Sequence, residues 1–405
     1  MDQLIGVFGI FILLAIAMAM SNNRVAISWR LVFWGLSLQL TFAIIILKTP
    51  IGIPFFGAID IFVKNLLSFS DAGSDFLFKS FGQNIVEAPL MNFAFRILPT
   101  LIFFSSLINV LYHLGVMQFL VKSTARIMQK TMGTSGSETL CISGNIFVGQ
   151  TEAPLLVQPF VSKMTNSELT AVMIGGFATV AGGVMAMYVS MLGNIDGIAG
   201  HLLAASIMSA PAALVVAKII YPEIEESQTK GDLTISIKND DDNIMEALST
   251  GATNGMKLAA NVAAMLIAFV ATIAMVNAVL SLFGLSLEQI LGWIFSPLAW
   301  VMGVPWQEAY VVGSLMGKKL VLTELIAFGD LSTLISDNVL SERSAIISSY
   351  ALCGFANFAS IGIQLGGIGG IAPERRKDIA QLGLKTMFGG AIASWLTATI
   401  AGLLI

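Results

Sequence analysis

The chain has 405 residues, 56% of them hydrophobic and only 11% charged, with a formal net charge of −4. A soluble domain carries roughly 25% charged residues, so this much apolar side chain excludes a water-facing globule and identifies an integral membrane protein. The acidic balance leaves no basic stripe for nucleic acid, and two Cys with two His exclude a disulfide framework or a clustered metal centre.

Crossing a hydrocarbon core about 30 Å thick takes about 20 apolar residues in a helix. Eight segments qualify: Leu4–Met20, Leu31–Leu47, Phe93–Met117, Leu169–Leu192, Ile198–Ile220, Leu258–Phe283, Ala345–Leu365 and Ile379–Ile405. Strands of about ten alternating residues are missing, which excludes an outer-membrane barrel. Leu4–Met20 has its basic residues after the apolar run rather than before it, so it reads as a retained span and not as a signal peptide. Met117–Met132 alternates apolar and basic positions at helical spacing and reads as an amphipathic interfacial helix, with Ile59–Phe69 as a second candidate. Arg24 and Arg30, then Lys122, Arg126 and Lys130, then Arg375, Arg376 and Lys377 all fall on one side if the N-terminus is outside. Both termini are then periplasmic in a bacterial cell. The acidic stretch from Glu223 to Asn243, with Asp240, Asp241 and Asp242, reads as a solvated cytoplasmic linker. Arg96, near Glu87, His113 and His201 read as interface or loop residues.

Two stretches do not fit simple spans. Thr134–Met164 is broken by Gly144, Gly149 and Pro154, and Val304–Asp330 by Pro305, Gly313 and Gly317. Each is long enough to enter the membrane and return, which is tolerated only where protein or a water-filled cavity satisfies the backbone. On the orientation above they enter from opposite sides, so the expected fold is all-α, with eight transmembrane helices plus two re-entrant helical hairpins in inverted repeats. The repeat is visible in the letters. Thr151-Glu152 is followed by Gly176-Phe177-Ala178, and Thr323-Glu324 by Gly354-Phe355-Ala356. Continuing the alignment pairs Thr179 with Asn357 and Gly182 with Ser360. A carboxylate in such apolar surroundings needs a polar partner, a cation or a water-filled cavity.

The densest polar cluster runs from Asn145 to Pro154. Gly149 and Pro154 interrupt the helix there and free backbone groups for a ligand. Gln150 offers two donors and an acceptor, Thr151 a hydroxyl and Glu152 an acceptor. With no Arg or Lys nearby, that set suits a neutral, planar, polar ligand better than a phosphate. Lys318 and Lys319 on the second hairpin read as snorkelling toward the interface, or as one of them pairing with a hairpin carboxylate. Cys353 reads as a small buried hydrophobe. Gly367-Ile-Gly369-Gly-Ile-Ala372 lacks a βαβ context, so its glycines read as helix-packing positions.

The strings GNIFVGQTEAPLLVQPFV and SYALCGFANFASIGIQLGGIGGIAPERR resemble the concentrative nucleoside transporter family, and the resemblance runs over nearly the whole chain. It implies a homotrimer in the inner membrane that imports nucleosides with Na⁺ by an elevator-type motion. It implies that Gln150, Thr151 and Glu152 hold the nucleobase, that Val184 and Phe355 line its pocket, and that Glu324, Asn357 and Ser360 hold the ribose. The Na⁺ ligands it implies are the Asn145 side chain, the Val148 carbonyl, the Thr179 hydroxyl and the Val180 carbonyl. The corresponding division is 1–131 for scaffold helices and the interfacial helix, 132–221 for the first half of a transport domain, 222–250 for a cytoplasmic linker, 251–303 for scaffold and 304–405 for the second half. Thr323 departs from the Asn that many members carry before the second Glu. The chemistry agrees: a carboxylate supplies only acceptors for vicinal hydroxyls, and an oxygen set without carboxylates suits a monovalent cation. Three alternatives stand beside Na⁺ symport. One is proton coupling through a buried glutamate. Another is a membrane hydrolase using Glu152 and Glu324, for which no nucleophile motif is present. The third is a channel.

Overall fold

Helices account for nearly all the secondary structure of the computed structural model, which describes residues 2–50, 54–64, 98–193, 195–229 and 241–405, with no strand among them. In chain order they are α1 (Asp2–Ala19), α2 (Trp29–Lys48), α3 (54–64), α4 (Leu98–His113), α5 (Val116–Met132), α6 (Gly136–Asn145), α7 (Asn166–Ala178), α8 (Gly182–Met191) and α9 (Ile198–Ile220). They continue with α10 (Ile244–Leu280), α11 (Leu287–Val301), α12 (Trp306–Val321), α13 (Glu324–Ser336), α14 (Glu342–Leu352), α15 (Phe358–Ile371) and α16 (Arg376–Leu404). Glu87, Arg96 and Asp240, the first five residues of the expected span Phe93–Met117 and the last five of Ile59–Phe69 lie outside the described residues.

Among the described residues, four helical stretches are long and apolar enough to cross a bilayer: Trp29–Lys48, Asn166–Met191, Ile198–Ile220 and Pro373–Leu404. Two more arise if each bent pair is one span, Pro99–His113 with Val116–Met132 at 77° and Met275–Phe283 with Leu287–Val301 at 82°. Where they are described, the eight expected spans fall mostly on helix, but not as eight uninterrupted ones, and Phe93–Met117 is broken at Leu114–Gly115. Leu169–Leu192 is split at Thr179–Ala181, and Ala345–Leu365 is split at Cys353–Asn357. The expected span Leu258–Phe283 is the later part of α10, whose 37 residues extend about 55 Å at 1.5 Å per residue. Its first turns pack on α4, where Gly251 and Gly255 meet the backbone at Ser106 and Ile102.

Both stretches expected to be hairpins change direction between helical segments. In the first, α6 ends at Asn145 and the chain returns through two short helical turns, Ala153–Val157 and Gln158–Val161. In the second, α12 and α13 are joined through Leu322 and Thr323. Thr323 is the N-cap of α13 and accepts from Ile326 N–H. Thr and Asn both serve at that position, so the departure from Asn keeps the cap. α5 is amphipathic as expected: Met117, Val121, Ala125, Met128 and Met132 are buried along one stripe.

The interior is formed by α7, α9 and α16, which contact one another. The two broken helices meet at their breaks. Gly354 has φ +126°, and a β-carbon there would lie 2.8 Å from the Phe177 carbonyl oxygen and 2.9 Å from that of Ala178. Only glycine fits both that backbone and that approach.

The acidic stretch after α9 is not a free linker where it is described. Lys218, buried near the end of α9, pairs with Glu138 at 2.7 Å and Glu223 at 3.4 Å. Ser227 donates to Glu168 at 2.6 Å, and Gly136 N–H donates to the Thr229 carbonyl at 2.8 Å. Further on, Asp241 accepts from Asn109 and Thr250. These contacts satisfy the N-terminal turns of α6 and α7, which also carry capping boxes at Ser135 and Thr165.

Candidate functional site

Glu324 opens α13 at the tip of the second hairpin and is buried. Its Oε1 accepts from the Tyr188 hydroxyl at 2.8 Å and its Oε2 from Asn357 Nδ2 at 2.7 Å. Asn357 also caps α15, accepting from Ser360 N–H at 2.8 Å. The second hairpin, the first broken helix and the second broken helix therefore converge on one carboxylate. Tyr188 is stacked on Phe328 of α13, with ring centroids 4.2 Å apart. Val184 lies one turn before Tyr188 on α8 and is buried, and Phe355 is half-buried in the second break.

The first tip divides. Gln150 and Thr151 face the second broken helix. Gln150 Oε1 accepts from Gln364 Nε2 at 3.0 Å, and Thr151 packs on Gly367, where a β-carbon would sit 2.7 Å from its methyl. The glycine run after Gly366 thus makes room for the hairpin tip at one position, while Gly370 faces open space. Glu152 faces the other way. It borders a cavity of about 410 Å³ shared with Ser105, Asn109 and Tyr112 of α4 and Thr250 and Asn254 of α10. Gln150 and Asn357 are joined through α15, which carries Gln364 two turns beyond Asn357.

Asn145 stands where α6 ends, and neither atom of its buried amide has a protein partner. An unpaired buried amide costs about 1–3 kcal/mol, so the position fits a ligand that accepts oxygen coordination. Thr179 donates to the Gly175 carbonyl at 2.9 Å, and a β-carbon on Gly175 would lie 3.5 Å from Asn145 Nδ2. Gly182 N–H donates to the Phe147 carbonyl at 3.0 Å, stitching the first tip to the first break. Asn145 and Gly175, whose carbonyl receives the Thr179 hydroxyl, are thereby neighbours, while Val180 is fully buried and Val148 is on the cavity wall. Among the described residues no group of His, Cys, Asp and Glu could hold a metal ion.

Three residues near these groups were not singled out from sequence: Tyr188, Gln364 and Phe328. Tyr188 is four positions beyond Val184, and Gln364 is four beyond Ser360, so each shares a helix face with an expected site residue. Of the two lysines, Lys318 pairs with a hairpin carboxylate, the alternative expected, whereas Lys319 does not snorkel. Lys319 is fully buried and donates to the Ala351 carbonyl at 2.9 Å. Lys318 pairs with Asp330 at 2.6 Å and Glu288 at 3.6 Å. His201 is likewise not a loop residue: it lies in the first turn of α9, 3.2 Å from the Tyr350 hydroxyl. Cys353 is buried, as expected.

Residues 201–402 match the model for the C-terminus of Na⁺ dependent nucleoside transporters, residues 8–81 match the model for their N-terminus, and residues 94–195 match a nucleoside recognition model. The sodium/nucleoside cotransporter 1 of Rattus norvegicus is 42% identical over 424 residues, covering 100% of this chain and 64% of the relative. The chain thus spans less than two-thirds of the length of the mammalian relatives. An uncharacterized transporter of Haemophilus influenzae is 43% identical over 419 residues, covering 100% of this chain and 98% of the relative. CNTnw in an inward-facing substrate-bound state superposes with a TM-score of 0.90 at 42% identity, covering 100% of this chain and 98% of CNTnw. A doubly substituted CNTnw in an outward-facing state gives the same TM-score, 0.90.

Proposed function

Since the chain belongs to the Na⁺ dependent, concentrative nucleoside transporter family, we propose that it imports nucleosides by Na⁺ symport with an elevator-type alternation of access. The observation that carries this reading is the carboxylate of Glu324, held by Tyr188 and Asn357 where the second hairpin meets both broken helices. Each carboxylate oxygen has a lone pair left over after those bonds. Two vicinal ribose hydroxyls can donate to them, and Ser360 on the next turn completes the sugar site. Gln150 and Thr151 meet the base edge, Glu152 stands behind them on the cavity side, and Val184 and Phe355 cover the faces of the base. In the cell the protein is a homotrimer in the bacterial inner membrane.

Na⁺ is cargo in this scheme. Asn145, Thr179 and the carbonyls of Val148 and Val180 would hold it, and it would fill the open valence of Asn145. Asn145 is the last residue of α6 before the tip that carries Gln150 and Thr151. A cation bound there orders that tip, so it raises nucleoside affinity, and by linkage the nucleoside raises cation affinity by the same factor. A proton carried by a glutamate would leave Asn145 unpartnered, which is why Na⁺ is preferred to H⁺.

Purified protein in liposomes should take up radiolabelled uridine against its gradient only with an inward Na⁺ gradient. Equal accumulation with choline in place of Na⁺ would reject Na⁺ coupling. Uptake that never exceeds equilibration would make the protein a channel, and recovery of free base and sugar would make it a hydrolase.

A further inference from the structure

Gln364 lies fully buried on α15, and its Nε2 makes two bonds of 3.0 Å, one to the Met173 backbone carbonyl and one to Gln150 Oε1. The first bond fixes the second. A backbone carbonyl only accepts, so the Gln364 atom facing it must be the amide nitrogen. That nitrogen has two hydrogens and no acceptor role, so the Gln150 atom facing it must be the oxygen. The orientation of the Gln150 amide therefore descends from a main-chain group of α7 through Gln364. It is not free to flip. Gln364 Oε1 is left buried without a partner, so the side chain is not arranged for its own satisfaction.

With its oxygen engaged, Gln150 has only its two N–H groups to offer a ligand. No described residue accepts from Gln150 Nε2, and it is not among the sealed unpartnered atoms of the molecule. Gly176 packs beside the pair, where a β-carbon would lie 2.8 Å from Gln364 Nε2 and 2.9 Å from Gln150 Cβ. The pair is thus enclosed on the Gly176 side, while Gln150 Nε2 is left without a protein acceptor. We infer that Gln364 is a positioning residue that sets the polarity of Gln150, so that the site selects nucleosides whose base presents an oxo group where Gln150 reads it. The inference rests on the nucleoside-import reading given above.

The test uses the full-length protein in liposomes with an inward Na⁺ gradient. Uridine is compared with cytidine, and inosine with adenosine, because each pair exchanges an oxo for an amino group. Wild type should favour the oxo member of each pair at least roughly fivefold in kcat/KM, since a site built to hydrogen-bond one group leaves buried polar atoms unpaired against the other. In Gln364→Leu and Gln364→Met, Gln150 can present either end, and both ratios should fall to within about twofold of one while uptake stays Na⁺-dependent. Gln150→Glu keeps the bond from Gln364 but turns the open end into an acceptor, and should reverse the ratios. A merely structural role for Gln364 would lower uptake of all four nucleosides together. Unchanged ratios in assembled Gln364→Leu and Gln364→Met protein, or no reversal in Gln150→Glu, would overturn the inference. Wild-type protein that takes up none of the four would overturn the import reading itself.

Discussion

Asn145, at the first hairpin tip, has neither amide atom partnered, whereas Glu324, at the second, has both carboxylate oxygens engaged. The two tips occupy matching places in the repeat, yet one leaves its polar group open and the other closes it on neighbours. The difference follows from charge. An unpaired buried carboxylate costs far more than an unpaired buried amide, so Glu324 is satisfied by groups of the protein itself. On the proposed scheme the Asn145 amide is met by a cation that brings its own charge. In that scheme the first tip is the element ordered by what binds, and the second is the fixed one.

The sharpest break of this contrast is Glu324→Gln. The amide keeps the shape but loses the charge and turns one acceptor into a donor, so Tyr188 and the ribose hydroxyl on that side must turn from donors into acceptors. Bonds to a charged group contribute about 1.5–3 kcal/mol each, and about 1.4 kcal/mol is tenfold. Uridine uptake should fall roughly 30-fold or more in kcat/KM. Stabilisation of the purified protein by Na⁺, read from thermal unfolding, should survive. If the substitution also removed the Na⁺ response, the two tips would not be separable as described.

Asn145→Ala tests the open side and should act in the opposite pattern. Nothing in the protein loses a partner, and an unsatisfied buried amide is removed, so stability without Na⁺ should hold or rise by about 1 kcal/mol. The gain in melting temperature on adding Na⁺ should vanish, because that gain follows ligand concentration over Kd. The Na⁺ concentration needed for half-maximal uptake should rise about tenfold or more, consistent with losing one ligand interaction of about 1.4 kcal/mol. A loss of stability in Na⁺-free buffer would make Asn145 a structural residue instead.

How far the sequence carries depends on whether a signal is local. The hairpins and their tips were legible because Gly149, Pro154 and the Thr-Glu pairs interrupt apolar runs. The broken helices were not. Cys353–Asn357 is flanked by apolar sequence and passes for a continuous span, although the chain turns there with Gly354 at φ +126°. The repeat also misleads in detail. Gly176 is inside α7 and Gly354 is in the break, and Thr179 ends a helix while Asn357 starts one. The same letters sit at different points of the turn, because each break is placed by its own cap. Tyr188, Gln364 and the Lys218–Glu138 pair depend on contacts far apart in sequence, which no window reveals.

The neighbouring lysines of α12 give the smallest test and the finest one. Lys318 is partly exposed and paired with Asp330 and Glu288, and exposed pairs contribute about 0–1 kcal/mol. Lys318→Met should leave uridine uptake within about twofold of wild type, as a loss of that size on the rim does not reach the site. Lys319 is fully buried, and its bond of 2.9 Å to the Ala351 carbonyl ties the second hairpin to the end of α14, two residues before Cys353 and the break. A cation at a helix C-terminus contributes about 0.3–2 kcal/mol. Removing it also removes the cost of burying a charge. Lys319→Met should therefore change unfolding by about 1 kcal/mol or less, in either direction. Its effect should appear in transport, because the Asn357 amide is carried by that same break while Glu324 is carried by the hairpin. A drift of a few tenths of an ångström between them weakens a charge-assisted bond of 2.7 Å. Uridine kcat/KM should fall about three- to tenfold, the equivalent of roughly 1 kcal/mol. Equal behaviour of the two substitutions would mean that the second tip is held by its own packing, and that the buried lysine does not position it.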